Sequence, residues 1–359
     1  MHDPATLTGV SPLGPRAIAS PHLIAATRSA WDLGDVAATE DLGGTYNLNL
    51  RLRTERGVMV LRVYRPWVTP ERLAMTQRVR TALHRHGLPV LLPIPTRSGT
   101  MAISVGDRLL EMEPWQPDDG GTTDRDRLFA AATILGRLHD GLRGITLDVP
   151  FVSAPVSNDL SPAVFDDWLG RTVRAIASAT RTEQTSLATR ACREAERIAM
   201  TARAIPRETG PHQLVHGDYG HENVRFSGSI VTAVVDFDFL HQGARIVDLA
   251  DLAFCPHWMA EFGQSSRSPA ERDWGIVAGI IRRYDAASRV PLSPAEIAAL
   301  PLAMAAVPLN WIAASWLLDD PIAAVALIAP ELPTAAWLID HHRELAAQWA
   351  SRRPSNGSC

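Results

Sequence analysis

The chain contains no lysine, so all 35 of its Lys or Arg positions are arginine. Any contact that proteins usually make through a Lys ammonium must here come from an Arg guanidinium or from backbone N–H groups. The net charge is −4 and the pI is about 6.3, so no excess of positive charge attracts nucleic acid or an anionic membrane surface. We therefore expect neither as a partner.

Cysteine is scarce, and Cys192, Cys255 and Cys359 share no paired or metal-ligand spacing, as in proteins of a reducing compartment. No basic segment followed by an apolar one begins the chain, and we expect no apolar run long enough to cross a bilayer. These features favour a cytoplasmic protein. A hydrophobic content of 46% with 21% charged residues over 359 positions indicates a globular chain of two domains or one large bilobal unit.

Polar side chains crowd into one otherwise apolar stretch, which runs from Leu214 to Ala253. An alternating segment, a Ser227-Gly228 turn and a β-branched run from Ile230 to Val235 predict a hairpin with polar groups at its open end. Such groups are costly to bury unless they are paired, hydrogen-bonded or bound to a metal. The polar side chains that define the stretch are His216, Asp218, Asn223, Asp236, Asp238 and Asp248.

The spacing of these residues is that of a phosphoryl-transfer site. Kinases place a catalytic Asp, an Mg²⁺-holding Asn and a second Mg²⁺-holding Asp in this order. The motifs His216-Gly217-Asp218, Asn223, Val235-Asp236-Phe237-Asp238 and Asp248-Leu249-Ala250 resemble the aminoglycoside phosphotransferase and choline kinase-like family. The resemblance implies an α+β, two-lobed protein kinase-like fold, with a small antiparallel-sheet N-lobe and a larger, mainly helical C-lobe. The expected divisions are an extension at 1–30, a nucleotide-binding N-lobe at 31–117, a catalytic and substrate-binding C-lobe at 118–350 and a flexible tail at 351–359.

The resemblance also implies roles for the polar residues. Asp218 would accept or orient the proton of an attacking hydroxyl, while Asn223 and Asp236 would hold Mg²⁺ against the phosphates of ATP or GTP. His216 and Asp248 would brace the loop through hydrogen bonds. For Asp238 we keep two alternatives, a metal contact or a helix cap.

Three N-lobe segments are expected to meet the nucleotide. Gly43, Gly44 and Asn47 lie in a glycine-rich loop beside predicted antiparallel strands, where backbone N–H groups can approach phosphate. Arg62 occupies the strand position whose basic side chain pairs with nucleotide phosphates in kinases. The segment with Glu111 and Glu113 resembles the interlobe hinge, where backbone groups meet the adenine edge.

The predicted helix from Pro70 to His86 departs from the family. Kinases place a Glu on this helix, where it pairs with the basic residue of the strand. Here that position falls near Thr76 or Gln77. Either Gln77 makes a weaker hydrogen bond to Arg62, or Glu71 reaches over from the first turn, or the ion pair is absent and the nucleotide site is compromised.

The remaining chain predicts helices, including 17–30, 125–143, a pair within 164–205, and further helices after residue 270 that Pro301 and Pro308 are expected to break. An amine-bearing substrate would need additional carboxylates, and aromatic side chains are candidates for lining its pocket. The acidic candidates are Asp166, Asp167, Glu261, Asp319 and Asp320, and the aromatic ones are Tyr219, His257, Trp258, Trp311 and Trp316.

The favoured function is transfer of a γ-phosphoryl group from ATP or GTP to a hydroxyl of a small molecule, such as an aminoglycoside-like antibiotic, an amino alcohol or a biosynthetic intermediate. Three alternatives stay open. One is a kinase of peptide Ser or Thr. Another is an inactive nucleotide-binding scaffold, suggested by the missing helix Glu. The third is a metal-dependent hydrolase built on His216-x-Asp218-x-x-His221 with Asp236. The sequence does not indicate the oligomeric state.

Overall fold

The computed structural model describes residues 13–147, 160–206 and 210–351. The prediction for the C-terminal tail therefore lies almost wholly outside the described residues, as does the first part of the N-terminal extension. The N-lobe is a five-stranded antiparallel sheet in the order β1-β2-β3-β5-β4. Its strands are β1 Val36–Asp41, β2 Leu48–Thr54, β3 Gly57–Val63, β4 Ile103–Val105 and β5 Arg108–Pro114.

The N-lobe core follows from strand alternation. Leu48, Leu50 and Leu52 on β2 all point to one face and are buried. The helix α1, Pro21–Ala30, contributes Leu23 to this core. It begins later than the predicted residue 17, because Ser20 caps it by accepting from the Leu23 N–H and a proline occupies its first position.

The helix α2, Pro70–Arg85, connects the two lobes. Thr69 caps its N-terminus by accepting from the Arg72 N–H at 3.2 Å. Val79 and Leu83 belong to the large hydrophobic cluster of the C-lobe rather than to that of the N-lobe sheet. The helix is thus fixed against the C-lobe by its apolar face.

The C-lobe is mainly helical, and the structure confirms the predicted hairpin in its centre, where β7 and β8 pair antiparallel. A second short pair joins β6 and β9. The strands are β6 His212–Val215, β7 Val224–Ser227, β8 Ile230–Val234 and β9 His241–Ala244. The helices are α3 Arg125–Arg143, α4 Pro162–Ala177, α5 Glu183–Arg203, α6 Ile246–Trp258, α7 Gly275–Ala287, α8 Pro294–Ala314, α9 Pro321–Ile328, α10 Leu332–Asp340 and α11 His342–Ser351.

The expectation that Pro301 and Pro308 break the helices was wrong, because both lie inside α8. An interior proline removes one helical hydrogen bond and costs roughly 3 kcal/mol in an isolated helix. Here the helix is buried on most of its circumference, with side chains such as Leu300 and Ile312 fully enclosed. Burial of one Leu or Ile contributes about 1.5–3 kcal/mol, so tertiary packing outweighs the local penalty.

The expectation that no stretch is long and apolar enough to cross a bilayer was also wrong. Residues Pro294–Leu317 and Pro321–Asp340 both meet that criterion by length and composition. In the first, 78% of the apolar window is buried within the C-lobe, so its hydrophobicity serves the core. The second is divided between α9 and α10, and 39% of its window is buried.

Four rings stack in sequence beneath the end of α6. The centroid of His257 lies 4.0 Å from that of Trp274, Trp274 lies 5.0 Å from Trp337, and Trp337 lies 4.3 Å from His341. His257 is fully enclosed, and neither of its ring nitrogens has a hydrogen-bond partner within the described ranges. Burial, helped by the positive charge of Arg272, lowers the pKa of His257 to about 3.

This burial makes a prediction about pH and stability. Because the folded pKa lies below the unfolded value of about 6.5, the unfolded chain binds this proton first. The contribution of the neutral His257 ring to the unfolding free energy is fully present above pH 6.5 and is lost as the pH falls toward 3. The variant His257→Phe keeps a ring on Trp274 but cannot titrate. Between pH 7 and pH 5 we expect the unchanged protein to lose about 2 kcal/mol more unfolding free energy than the variant, measured by urea titration. Equal losses would show that His257 does not titrate as a buried neutral ring.

Candidate active site

A buried carboxylate fixes the loop that follows β6. The two oxygens of Asp248, in the first turn of α6, accept from the His216 N–H at 2.8 Å and the Gly217 N–H at 2.7 Å. His139 Nε2 donates to the same carboxylate at 2.9 Å. Burial raises the pKa of Asp248, but these hydrogen bonds lower it below the ordinary value. The carboxylate is therefore ionised and holds the loop in one conformation.

The loop has no room for a side chain at one position, and a hydrogen bond ties it to the hairpin at another. Gly217 has a φ of +82°, and a Cβ there would lie 2.3 Å from the Phe239 carbonyl oxygen, so only glycine fits. The ring of His216 is buried, and burial lowers its pKa. Its Nε2 donates to the Val235 carbonyl at 3.0 Å, which ties the loop to the end of the hairpin.

The predicted catalytic and metal residues lie together at this point. The Asn223 amide donates to the Asp218 carboxylate at 2.9 Å and to the Asp218 carbonyl at 2.8 Å. The Val235 N–H donates to the Asn223 carbonyl at 2.9 Å, which brings Asn223 beside Asp236. Across the described ranges, Asp236 is the one non-glycine residue with a positive φ, at 65°. Such strained backbone is concentrated at functional sites.

Arg62 of β3 reaches across from the N-lobe to this hairpin. One of its terminal nitrogens lies 3.0 Å from Asp236 Oδ1 and 3.0 Å from Asp238 Oδ2. Burial raises the pKa of Asp236, and Arg62 more than offsets that rise, so the net shift is downward. Burial raises the pKa of Asp238 to about 7, although Arg62 opposes the shift. Asp238 lies inside the 3₁₀ turn Phe237–Phe239, whose N-cap position is Asp236. Its carboxylate contacts Arg62 and Asn47, so the helix-cap alternative was wrong.

The glycine-rich loop joins β1 to β2 and also approaches the hairpin. Gly43 and Gly44 are exposed and have positive φ angles of 80° and 109°. Asn47 is buried, and its amide donates to Asp238 Oδ2. No motif or spacing singles out Tyr46, whose ring packs edge-on against Phe239 at 5.2 Å. Burial raises the pKa of Tyr46 above its ordinary value, and the negative charge of Asp218 adds to the rise.

The helix α2 has Thr76 and Gln77 where the family has a Glu, and its buried cation Arg80 lies about one turn further on. Gln77 donates to Glu111 Oε2 at 2.5 Å, and Arg80 lies 2.5 Å from Glu111 Oε1 and 2.5 Å from Glu113 Oε1. Glu71 is exposed at the first turn and bonds Thr69. The alternatives in which Gln77 or Glu71 holds Arg62 were therefore wrong, because Gln77 is used by a buried carboxylate and Glu71 points to solvent.

This cluster also defines what Glu111 and Glu113 can do. Both side chains are buried and paired with Arg80, so they support the N-lobe rather than face a ligand. Burial raises the pKa of Glu113, while Arg80 and Gln77 bring the pKa of Glu111 below its ordinary value despite its burial. A nucleotide contact from this segment would come from its backbone, which stays a prediction.

The oxygen donors at this point suit a metal ion that is also bound by the phosphates of a ligand. In the part of the chain that the structure describes, no group of three His, Cys, Asp or Glu side chains is arranged to hold a metal by itself. Asp236 and the Asn223 amide are oxygen donors, and Mg²⁺ is usually bound by one or two carboxylates together with substrate phosphates. A hydrolase centre would need three protein ligands. The side chain of His221, which that hypothesis used, lies outside the described set.

Several acceptor-site candidates have other roles in the structure. Asp166 and Asp167 form exposed ion pairs with arginines, and Asp320 caps α9. Tyr219 is buried, and its hydroxyl donates to the Ala131 carbonyl. A cavity of about 320 Å³ lies at the start of β6, at the opposite end from the loop with Asp218, and none of the predicted catalytic, nucleotide or metal residues lines it.

A small antiparallel sheet, a helical lobe and the Asp-Asn-Asp group between them define the protein kinase-like class of phosphotransferases. The model of the phosphotransferase enzyme family, also known as APH, matches residues 37–287, and the chain belongs to this family. The resemblance drawn from the motifs and the prediction of a kinase-type phosphotransferase are thereby confirmed.

Among curated relatives, homoserine kinase from Caulobacter sp. (strain K31) is 28% identical over 282 residues, which cover 78% of this chain and 80% of the relative. Homoserine kinase from Methylobacterium sp. (strain 4-46) is 28% identical over 329 residues, which cover 90% and 92%.

Solved structures confirm the fold. An amicoumacin kinase bound to AMP-PNP, Ca²⁺ and its antibiotic has a TM-score of 0.63 at 14% identity, covering 88% of this chain and 93% of its own. A microcompartment-associated aminopropanol kinase has a TM-score of 0.63 at 18% identity, covering 91% and 98%.

The buried cluster around Arg80 makes a stability prediction. The variant Arg80→Met leaves Glu111 and Glu113 buried without their cation, and we expect a loss of about 3–5 kcal/mol in unfolding free energy. Urea unfolding at pH 7 measures it. The control Arg85→Met, at an exposed arginine in the last turn of α2, should lose no more than about 1 kcal/mol. Similar losses for the two variants would contradict the assignment of Arg80 as the cation of the cluster.

Proposed function

We propose that this protein transfers the γ-phosphoryl group of ATP to the hydroxyl of a small amine-bearing alcohol, with homoserine as the first candidate. The observation that carries the proposal is the joint placement of Asp218, Asn223 and Asp236 at the open end of the hairpin. Phosphoryl transfer demands little covalent chemistry from a protein and depends on positioning and on charge neutralisation. Such a cluster supplies both.

Asp218 orients the acceptor. It is half-buried, and Asn223 holds one of its oxygens. A carboxylate fixed in this way accepts a hydrogen bond from the attacking hydroxyl and can take its proton as the new P–O bond forms.

The nucleotide phosphates face cations and backbone donors. Asn223 and Asp236 would hold Mg²⁺, which neutralises charge on the phosphate oxygens when it is bound. Arg62 adds a guanidinium beside Asp236. Gly43 and Gly44 have positive φ angles in the exposed loop. The Gly43 N–H donates to Asp41 Oδ1 at 2.9 Å, so a phosphate would meet the N–H groups that follow it in the loop.

The choice of acceptor rests on the relatives. The homoserine kinases named above align over most of the chain, and homoserine carries both a primary hydroxyl and an amine. Their identity of 28% supports the substrate class more than the individual substrate. We also propose a cytoplasmic location, which suits dependence on ATP and the two buried free thiols, Cys192 and Cys255.

Replacement of the proposed base tests the mechanism. The variant Asp218→Ala should lower kcat by about 10²–10⁴-fold, because the acceptor hydroxyl loses its proton acceptor. Nucleotide affinity should stay nearly unchanged, since Asp218 contacts the acceptor side. ADP formation by coupled assay and nucleotide binding by calorimetry measure the two effects. Turnover equal to that of the unchanged protein would remove Asp218 from the mechanism.

A substrate comparison tests the acceptor class. We expect ADP formation to rise with homoserine or 1-amino-2-propanol above the rate with ATP and Mg²⁺ alone, with ATP preferred to GTP. Kanamycin and a Ser-containing peptide represent the antibiotic and peptide alternatives. Faster turnover with either of these than with the amino alcohols would overturn the proposed class.

A further inference from the structure

The helix α2 presents the opposite charge from the one that its position in a kinase requires. In kinases a Glu of this helix pairs with the basic residue of the strand. Here the buried charged side chains of α2 are Arg72 and Arg80, and its carboxylate, Glu71, is exposed. The guanidinium of Arg62 is nevertheless buried, and a buried cation needs a nearby anion.

The anions that meet Arg62 come from the C-lobe. Asp236 Oδ1 and Asp238 Oδ2 each lie 3.0 Å from the same Arg62 nitrogen. The Asp236 side chain is 30% exposed, whereas that of Asp238 is 8% exposed. Asp236 is the residue proposed to hold the metal, which would neutralise its charge. Asp238 then remains as the enclosed counter-ion of Arg62.

Three separate parts of the N-lobe hold Asp238 in place. The Asn47 amide, from the glycine-rich loop, donates to Asp238 Oδ2, and Arg62 of β3 contacts the same oxygen. Arg72 of α2 donates to the Asp238 carbonyl at 2.5 Å and to the Leu240 carbonyl at 3.0 Å.

Asn47 is itself fixed, because its Oδ1 accepts from the Arg65 N–H at 3.0 Å. The loop, the strand and the helix of the N-lobe therefore converge on one C-lobe residue.

We propose that Asp238 is a positioning residue that holds Arg62 toward the nucleotide phosphates, in the place that a helix carboxylate takes in other kinases. The proposal rests on the proposed function, because it requires a nucleotide site beside Arg62. Because Asp238 belongs to the C-lobe, Arg62 is held in this orientation only while the two lobes are in contact.

The proposal predicts a change in nucleotide affinity whose direction is opposite to that of a simple charge effect. Removing a negative charge near a phosphate site should strengthen the binding of a nucleotide without metal, if charge alone matters. If Asp238 instead orients Arg62, removing its charge weakens that binding, because the guanidinium turns to Asp236 alone. A role of Asp238 as metal ligand predicts no weakening without metal.

The experiment measures ADP binding by calorimetry at pH 8.5, above the pKa of about 7 for Asp238, first in EDTA and again with Mg²⁺. In EDTA the variant Asp238→Asn should bind ADP about 10-fold more weakly than the unchanged protein, within the usual range of coupling between residues in contact. In an Arg62→Ala background the same change should cause no weakening, since the residue that Asp238 positions is gone. The control Glu194→Gln removes the anion of an exposed ion pair with Arg197 and should leave binding unchanged.

A second pair of variants covers the case in which Asp238→Asn does not fold. Asp238→Glu and Asp238→Gln have side chains of equal length, and only the first keeps the charge. The Glu variant should bind ADP in EDTA more tightly than the Gln variant, with melting temperatures checked for both. This comparison separates positioning by charge from loss of packing.

Three results would overturn the proposal. One is unchanged or tighter ADP binding in EDTA by Asp238→Asn. Another is the same weakening in the Arg62→Ala background. The third is no binding by the unchanged protein in EDTA, because Arg62 would then make no phosphate contact of its own. Binding that appears only with Mg²⁺ leaves the proposed function standing, whereas no binding under either condition overturns that function as well.

Discussion

The active-site loop depends on one buried carboxylate, that of Asp248. It accepts from two consecutive backbone N–H groups, at His216 and Gly217, and from the ring of His139. A buried ionised carboxylate is stable only when its oxygens are satisfied in this way. Because Asp248 begins α6, His139 lies in α3 and the loop follows β6, this single interaction fixes the relative positions of three elements on which Asp218 depends.

The absence of lysine shapes the rest of the site. Arginine presents several donors in a planar fork, so one side chain can satisfy more than one acceptor. Arg80 contacts two carboxylates and the Leu91 carbonyl, and Arg72 contacts two backbone carbonyls. The contacts of Arg80 come from three separate nitrogens of its planar fork, which the single nitrogen of a lysine could not reproduce. The N-lobe thus encloses several cations without leaving their charges uncompensated.

The sequence predicts this protein well where a local pattern determines the structure. Alternation predicts the strands, the Ser227-Gly228 turn predicts the hairpin, and motif spacing brings Asp218, Asn223 and Asp236 together. It fails where tertiary packing decides the outcome. Burial keeps α8 helical through its prolines, and the contacts of Arg72 and Tyr46 join segments that are far apart in the chain. No spacing rule connects such residues before the fold is known.

Reversed charge on α2 is consistent with how that helix packs. Val79 and Leu83 join the C-lobe core, so moving α2 away from the C-lobe would expose apolar surface at about 25 cal/mol per Å². A carboxylate carried by such a helix could not turn toward or away from Arg62 without that cost. A carboxylate in the turn that follows the hairpin avoids this cost, because Asp238 already lies where that turn and the N-lobe meet. Arg62 can therefore pair with a carboxylate of the C-lobe while α2 stays in place. The arginines of α2 bind the carbonyls of Asp238 and Leu240 and the carboxylates of β5.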